Sequence, residues 1–268
     1  MSRIPQGWSA EGIALSNLKN GIFPPKSGST SNPYREWIGA QMRGSICGLV
    51  APNDPYTAFK LAMIDASISH TGNGALGEAF NALLTSISFK YINQTTSKKS
   101  SNNSSNNSSE KHLEPICRTI LKEVIEYIPK DSEYRSVLDF AINSCIEEGE
   151  WENAWKKCDK KYEEYNWIHC YPNAAAEVIA LYFCNDSFNE CMHIISMEGL
   201  DADCNAAQIG TILGILVGEE NIDLKWKLPI GDNLNTYMRG FEKFSIKELS
   251  KRTFEAFYKA NFKDDDNH

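Results

Sequence analysis

No stretch of this chain alternates apolar and polar residues long enough to make a half-buried strand, so sheets drop out and helices remain. No uninterrupted apolar run is long enough to span a bilayer; residues 209–217 are apolar but short, glycine-laced and followed by Glu219 and Glu220. Residues 1–15 lack the apolar core and cleavage pattern of a secretion signal. There is no basic block, and Lys+Arg 27 against Asp+Glu 35 gives a net charge of -8. That balance argues against a nucleic-acid face, which needs positive charge for phosphates, but leaves room for a small anionic ligand held by local donors. None of the eight cysteines forms a CxxC pair. They read as reduced, buried thiols, and the expected location is cytoplasmic. Cys184, Cys191 and His193 can be drawn as zinc ligands, but their spacing matches no ligand rule.

What is present is ordinary for a globular chain: 42% hydrophobic and 23% charged residues over 268 positions. Residues 1–268 read as a single all-α domain, an orthogonal bundle of about ten helices. Residues 1–33 look loop-like, with residues 1–15 frayed. Within them Pro24-Pro25-Lys26-Ser27-Gly28-Ser29-Thr30 puts small polar donors on a turn, which suits phosphate or ribose oxygens and equally suits a plain surface loop. Helical patterns follow over 35–50, 56–69 and 75–91, with Asp54 before Pro55 as a cap and first-turn proline. Residues 95–110 form an Asn/Ser insertion too polar to offset its ordering entropy, hence disordered. Further helices read over 113–127, 131–148, 150–165, 174–184 and 187–197. A last one runs over 245–260, opened by Ser245 and Glu248 as a capping box. Residues 262–268 read as a frayed tail.

The stretch with most chemistry is Gly199-Leu200-Asp201-Ala202-Asp203-Cys204-Asn205-Ala206-Ala207. Two carboxylates one residue apart, where a polar turn becomes an apolar helix, can converge on a hard cation. The same residues also fit a simple helix cap, since aspartate suits free amides and the helix dipole. Gly210, Gly214 and Gly218 fall four apart on one face, so another backbone is expected to approach this helix closely.

The order of motifs adds weight. Pro24-Pro25-Lys26-Ser27-Gly28-Ser29 is followed by Ile38-Gly39-Ala40-Gln41-Met42-Arg43, then Ile68-Ser69-His70, then the Asp201-x-Asp203 turn. This series resembles the ADP-ribosylglycohydrolase family over roughly residues 20–255. The resemblance implies an all-α fold around a divalent metal centre, usually two magnesium ions, in a cleft that binds ADP-ribose. Members cleave the bond between C1 of the ribose and a side chain or another ADP-ribose. By the same resemblance Asp201 and Asp203 are metal ligands. Gly28, Ser29 and Thr30 match the loop on the ADP-ribose phosphates, and His70 lies near that loop. Read alone, His70 is equally a helix C-terminal histidine bonded to free carbonyls.

Two departures bear on activity. The family's third ligand at the turn is usually Thr or Ser, where this chain has Cys204, a soft donor and a poor partner for magnesium. The Gly-Asp-Ala-x-Gly and Thr-Asp-Asp segments that carry the other ligands do not occur before residue 20. The expectations are therefore two. One is a magnesium-assisted hydrolase of the N- or O-glycosidic bond of ADP-ribose on a modified target. The other is a silent or truncated member that binds ADP-ribose or a protein.

Overall fold

The computed structural model describes residues 6–92 and 114–261. The all-α expectation holds: among the described residues ten helices are ten residues or longer, and the only sheet is a two-stranded ribbon. The helices are α1 (Ser9–Lys19), α2 (Lys26–Ser29), α3 (Ser45–Leu49), α4 (Pro55–Ala66), α5 (Asn73–Ser88), α6 (Ile116–Ile125) and α7 (Glu133–Glu148). They continue with α8 (Trp151–Lys161), α9 (Cys170–Phe183), α10 (Phe188–Glu198), α11 (Ala202–Val217), α12 (Leu224–Lys227) and α13 (Ile246–Asn261). Strands β1 (Asn233–Asn235) and β2 (Lys243–Ser245) pair antiparallel. The Asn/Ser insertion at 95–110 and the tail at 262–268 lie outside the described residues.

Helix α5 is the axis. Every residue from Gly74 to Ser88 is buried, so neighbours cover it on all sides. One face carries Leu76, Phe80, Leu83, Leu84 and Ile87 into the main core with α6, α7, α9, α10 and α11. The other is built from small residues. Ala58, Ala62 and Ala66, spaced four apart on α4, are fully buried, the first two with Ala79 and Ala82 of α5 and the third with Ala75. Short side chains let the helix backbones close up and gain dispersion contacts. Gly48 of α3 shows how tight the packing is: a Cβ there would stand 2.5 Å from the Ala82 carbonyl oxygen and 2.6 Å from Thr85 Cβ.

Several local expectations are met by direct hydrogen bonds. Asp54 accepts from Thr57 N (3.0 Å), Ser187 from Glu190 N (3.3 Å) and Ser245 Oγ from Glu248 N (3.1 Å). Three expectations need correction. The loop-like reading of 1–33 misses α1, whose weak amphipathicity hides it but whose Ala10 and Ala14 are buried. The helix read over 35–50 breaks into a bridge between Trp37 and His169, a 3-10 turn (Gln41–Arg43) and short α3. Three glycines, Gly39, Gly44 and Gly48, weaken any continuous helix there. The glycine face of α11 admits no close backbone. A Cβ at Gly210 would meet only Met192 Cε at 3.7 Å, and at Gly214 only Ile222 Cδ1 at 3.9 Å, both ordinary contacts.

Helix α13 is largely exposed along its described length. Among its described side chains only Thr253 and Phe257 are half-buried, and none belongs to the core. Phe254→Ser, at a side chain 63% exposed, is therefore expected to shift the melting temperature by less than about 2 °C, since under ~1 kcal/mol of packing is lost. Calorimetry of the variant checks this. No described helix is long and apolar enough to cross a membrane.

Candidate metal and ligand site

The turn between α10 and α11 is bent through the left-handed region at two successive residues, Gly199 (φ 77) and Leu200 (φ 57). For leucine that conformation is strained and must be held by its surroundings. The holding group is a chain of buried amides. Asn173 Oδ1 accepts from Asp201 N (3.3 Å) and from Asn205 Nδ2 (2.7 Å). Asn173 Nδ2 in turn donates to the carbonyls of Trp167 and His169, both at 2.8 Å. Gln208 Nε2 reaches Asn205 Oδ1 (3.5 Å), Asn81 Nδ2 donates to Gln208 Oε1 (2.5 Å), and Ser45 Oγ donates to Asn81 Oδ1 (2.7 Å). Asn173 is a support of the turn that sequence reasoning missed, and Asn205, present in the motif, was given no role there. An asparagine is unremarkable in sequence and acquires this role only when buried.

Asp201 occupies the N-cap position of α11, yet its side chain makes no cap hydrogen bond. The capping alternative therefore does not describe it. Instead the ligand atoms of Asp201, Asp203 and Cys204 all lie within 4.8 Å of one another. Burial first, offset by a Cys204 hydrogen bond, and then the adjacent Asp203 raise the Asp201 carboxyl above its usual range. A cation between the two carboxylates relieves that crowding. The Cys204 thiol is pushed up to about 12 by burial, by its hydrogen bond to Asp201 and by the charges of Asp201 and Asp203. Its sulfur lies 3.4 Å from Met42 Sδ. The two carboxylates suit a hard divalent ion; the thiol and thioether do not suit magnesium. No histidine or further carboxylate joins the group among the described residues. The alternative zinc set is not assembled. Cys184 and Cys191 are in the core, while His193 is exposed against Trp151.

The predicted ligand loop is knit to the His70 turn. Asn17 Nδ2 donates to the carbonyls of Ser27 (2.9 Å) and Thr30 (2.8 Å), and Asn32 Nδ2 to those of Gly28 (3.0 Å) and Ser69 (2.8 Å). Gly28 has to be glycine: a Cβ would stand 2.9 Å from the His70 carbonyl oxygen. Ser29 is exposed and Thr30 half-buried. His70 is fully enclosed. Its Nδ1 is 2.8 Å from Ser69 Oγ, its Nε2 makes no hydrogen bond, and burial followed by the Arg43 charge holds it down to about 3. The ring is therefore a neutral support beneath the loop and presents nothing to solvent. The structure thus brings Asp201 together with Asp203, and Gly28 to Thr30 together with His70. The two groups meet the same 3-10 turn, Met42 touching Cys204 and Arg43 touching Ser69 (3.1 Å).

Arg43 is itself a node. It bonds Asp65 (2.7 Å) and Glu11 (2.8 Å) and lies 3.4 Å from Glu78, which is fully buried with neither oxygen hydrogen-bonded. Arg43 and Asp65 also form the polar part of a surface groove of about 540 Å³, otherwise lined by residues such as Ile46, Leu61 and Ile68. Burial, only partly offset by Arg43, lifts Glu78 to about 9. Burial, partly offset by the hydrogen bond from Gln41 (2.9 Å), lifts Glu177 to about 8. Both are neutral in the folded protein at pH 7, so folding takes up protons there. Between the ordinary 4.5 and these raised values, stability falls as pH rises. His70 acts oppositely: its depressed value means stability is lost as pH falls from 6.5 toward 3. Two raised carboxyls outweigh one depressed histidine above the ordinary carboxyl value, so thermal stability is expected to peak near about pH 4.5 and to decline toward pH 9. Calorimetry at constant ionic strength tests this, and Glu78→Gln should flatten the decline.

A family model described as ADP-ribosylglycohydrolase matches residues 4–261, nearly the whole chain. No curated protein and no solved structure matches.

Proposed function

The chain belongs to the ADP-ribosylglycohydrolase family, and from that premise we propose that it hydrolyses the N- or O-glycosidic bond of ADP-ribose on a modified target, with a divalent cation held by Asp201 and Asp203. The observation that carries this reading is the pair of carboxylates at the strained turn, converging without any capping role. Magnesium is the ion that the resemblance implies, and two magnesium ions complete such a centre. Asp201 and Asp203 offer it two hard oxygens, while Cys204 offers it nothing suitable. When bound, the cation supplies an anchor for ribose hydroxyls and a means to orient and activate water at C1.

The chain's own residues supply the rest. Asn173 and Asn205 fix where the carboxylates stand. The exposed Ser29 hydroxyl and the neighbouring Thr30 are suited to ADP-ribose phosphate oxygens, with Gly28 keeping the loop down on His70. His70 contributes by supporting that loop, its ring being enclosed. The partner is free ADP-ribose or an ADP-ribosylated protein.

A second reading, binding of ADP-ribose without turnover, is favoured by one observation: the third donor at the turn is a thiol and no further carboxylate joins it among the described residues. The two readings separate in one experiment. Purified chain is mixed with ADP-ribosylated protein and a divalent cation, released ADP-ribose is quantified, and ADP-ribose binding is followed by calorimetry. Release supports hydrolysis. Binding without release supports the second reading, and absence of both removes the ADP-ribose assignment.

A further inference from the structure

The donor set at the Asp201 turn and the ion implied by the family disagree. Magnesium demands near-ideal octahedral oxygen coordination and keeps several waters. The turn offers two carboxylates and a thiol with ligand atoms inside 4.8 Å, and the sulfur of Met42 stands 3.4 Å from the thiol sulfur. Two sulfurs bound to one tetrahedral ion at ~2.3 Å each lie ~3.8 Å apart, so the Cys204–Met42 pair is already near that spacing. Mixed oxygen and sulfur donors suit a borderline ion such as zinc; a hard ion does not use the sulfur half of the set.

A second observation points the same way. Glu177 is wholly buried, its Oε1 accepts from Gln41 Nε2 (2.9 Å), next to Met42 in the chain, and its Oε2 has no hydrogen-bond partner. A buried carboxyl with an oxygen to spare, bonded to the residue that precedes Met42, is the kind of outer partner that tunes metal sites. The mouth of the site is open on the other side, since Asp203 is exposed and Met42 is 43% exposed.

We infer that this turn selects a thiophilic divalent ion, zinc or a zinc-like ion in place of magnesium, through Asp201, Asp203 and Cys204 with Met42 as a weak fourth donor. The inference rests on the reading of the turn as a cation site. Cys204 is the selecting residue: a serine there keeps the size and removes the softness.

The test uses the full chain stripped of metal and titrated with cobalt(II), followed by zinc and magnesium competition in calorimetry. A sulfur-to-cobalt charge-transfer band in the near ultraviolet is expected, and Cys204→Ser should abolish it. The same substitution should weaken zinc about 10–100-fold while leaving magnesium binding unchanged or tighter. Cobalt binding without a sulfur band overturns the inference, as does zinc affinity that Cys204→Ser leaves untouched. If magnesium binds and ADP-ribose is released under those conditions, only the ion preference has failed. If no divalent ion binds at all, the cation site of the proposed function falls with it.

Discussion

Asp201→Asn is expected to remove ADP-ribose release while leaving the protein as stable as the parent, or slightly more so. Both halves come from the same geometry. Changing even an outer-shell partner typically costs 10–100-fold in metal affinity or activity, so losing one of two ligand carboxylates should cost at least about 100-fold. An ordinary N-cap aspartate would also cost about 1 kcal/mol of stability when replaced. Here the side chain makes no cap bond, and its carboxyl is raised by burial and by Asp203, so at pH 7 its charge opposes folding. Loss of function without loss of stability marks a residue retained for chemistry. Asp203→Asn should behave alike. Turnover assays paired with thermal unfolding decide the matter: a variant that is destabilised by a full cap's worth and still releases ADP-ribose would return Asp201 to a structural role.

Arg43→Leu is expected to produce the largest loss of stability. Its guanidinium serves Asp65, Glu11, Ser69 and the Gly39 carbonyl, and among the described residues it is the only cation within ion-pair distance of Glu78. Asp65 and Glu11 stay partly open to water, so the main cost is that of leaving the buried Glu78 without its polar neighbour, about 1–3 kcal/mol, which for a chain of this size is on the order of 5 °C in melting temperature. Without the arginine's lowering effect the Glu78 carboxyl should move above its present value of about 9. A double variant with Glu78→Gln should recover part of the loss, because the two positions are coupled. Additive losses would show that Glu78 stands independent of Arg43.

How much of this could be read from residues alone follows a physical line. Features decided within a few residues were legible: the Asp54-Pro55 start, the Ser187 cap, and a carboxylate turn opening a helix. Features decided by what packs on top were not. Glu78, Glu177 and Glu198 are fully or almost fully buried, yet in sequence each looks like the charged side of a helix. The close-approach glycines include Gly28, Gly44, Gly48 and Gly74, where a Cβ would strike backbone, and not Gly210 or Gly214 of the regular series on α11. Spacing shows that glycines share a face; only the neighbour shows whether anything needs the space. His70 was legible as part of the loop region, and its enclosure was not.

The amide chain under the turn has a sense of direction. Ser45 gives its proton to Asn81, Asn81 to Gln208, Gln208 to Asn205, and Asn205 to Asn173, each carbonyl receiving from one side and each amino group giving to the other. Such a queue of aligned dipoles polarises cooperatively, and no member can rotate end for end unless the others follow. The carboxylates at the surface are thus registered to a hydroxyl on α3, across the buried helix α5. A change of rotamer at Ser45, far from either carboxylate in the chain, is a change at the head of the line that ends beneath Asp201.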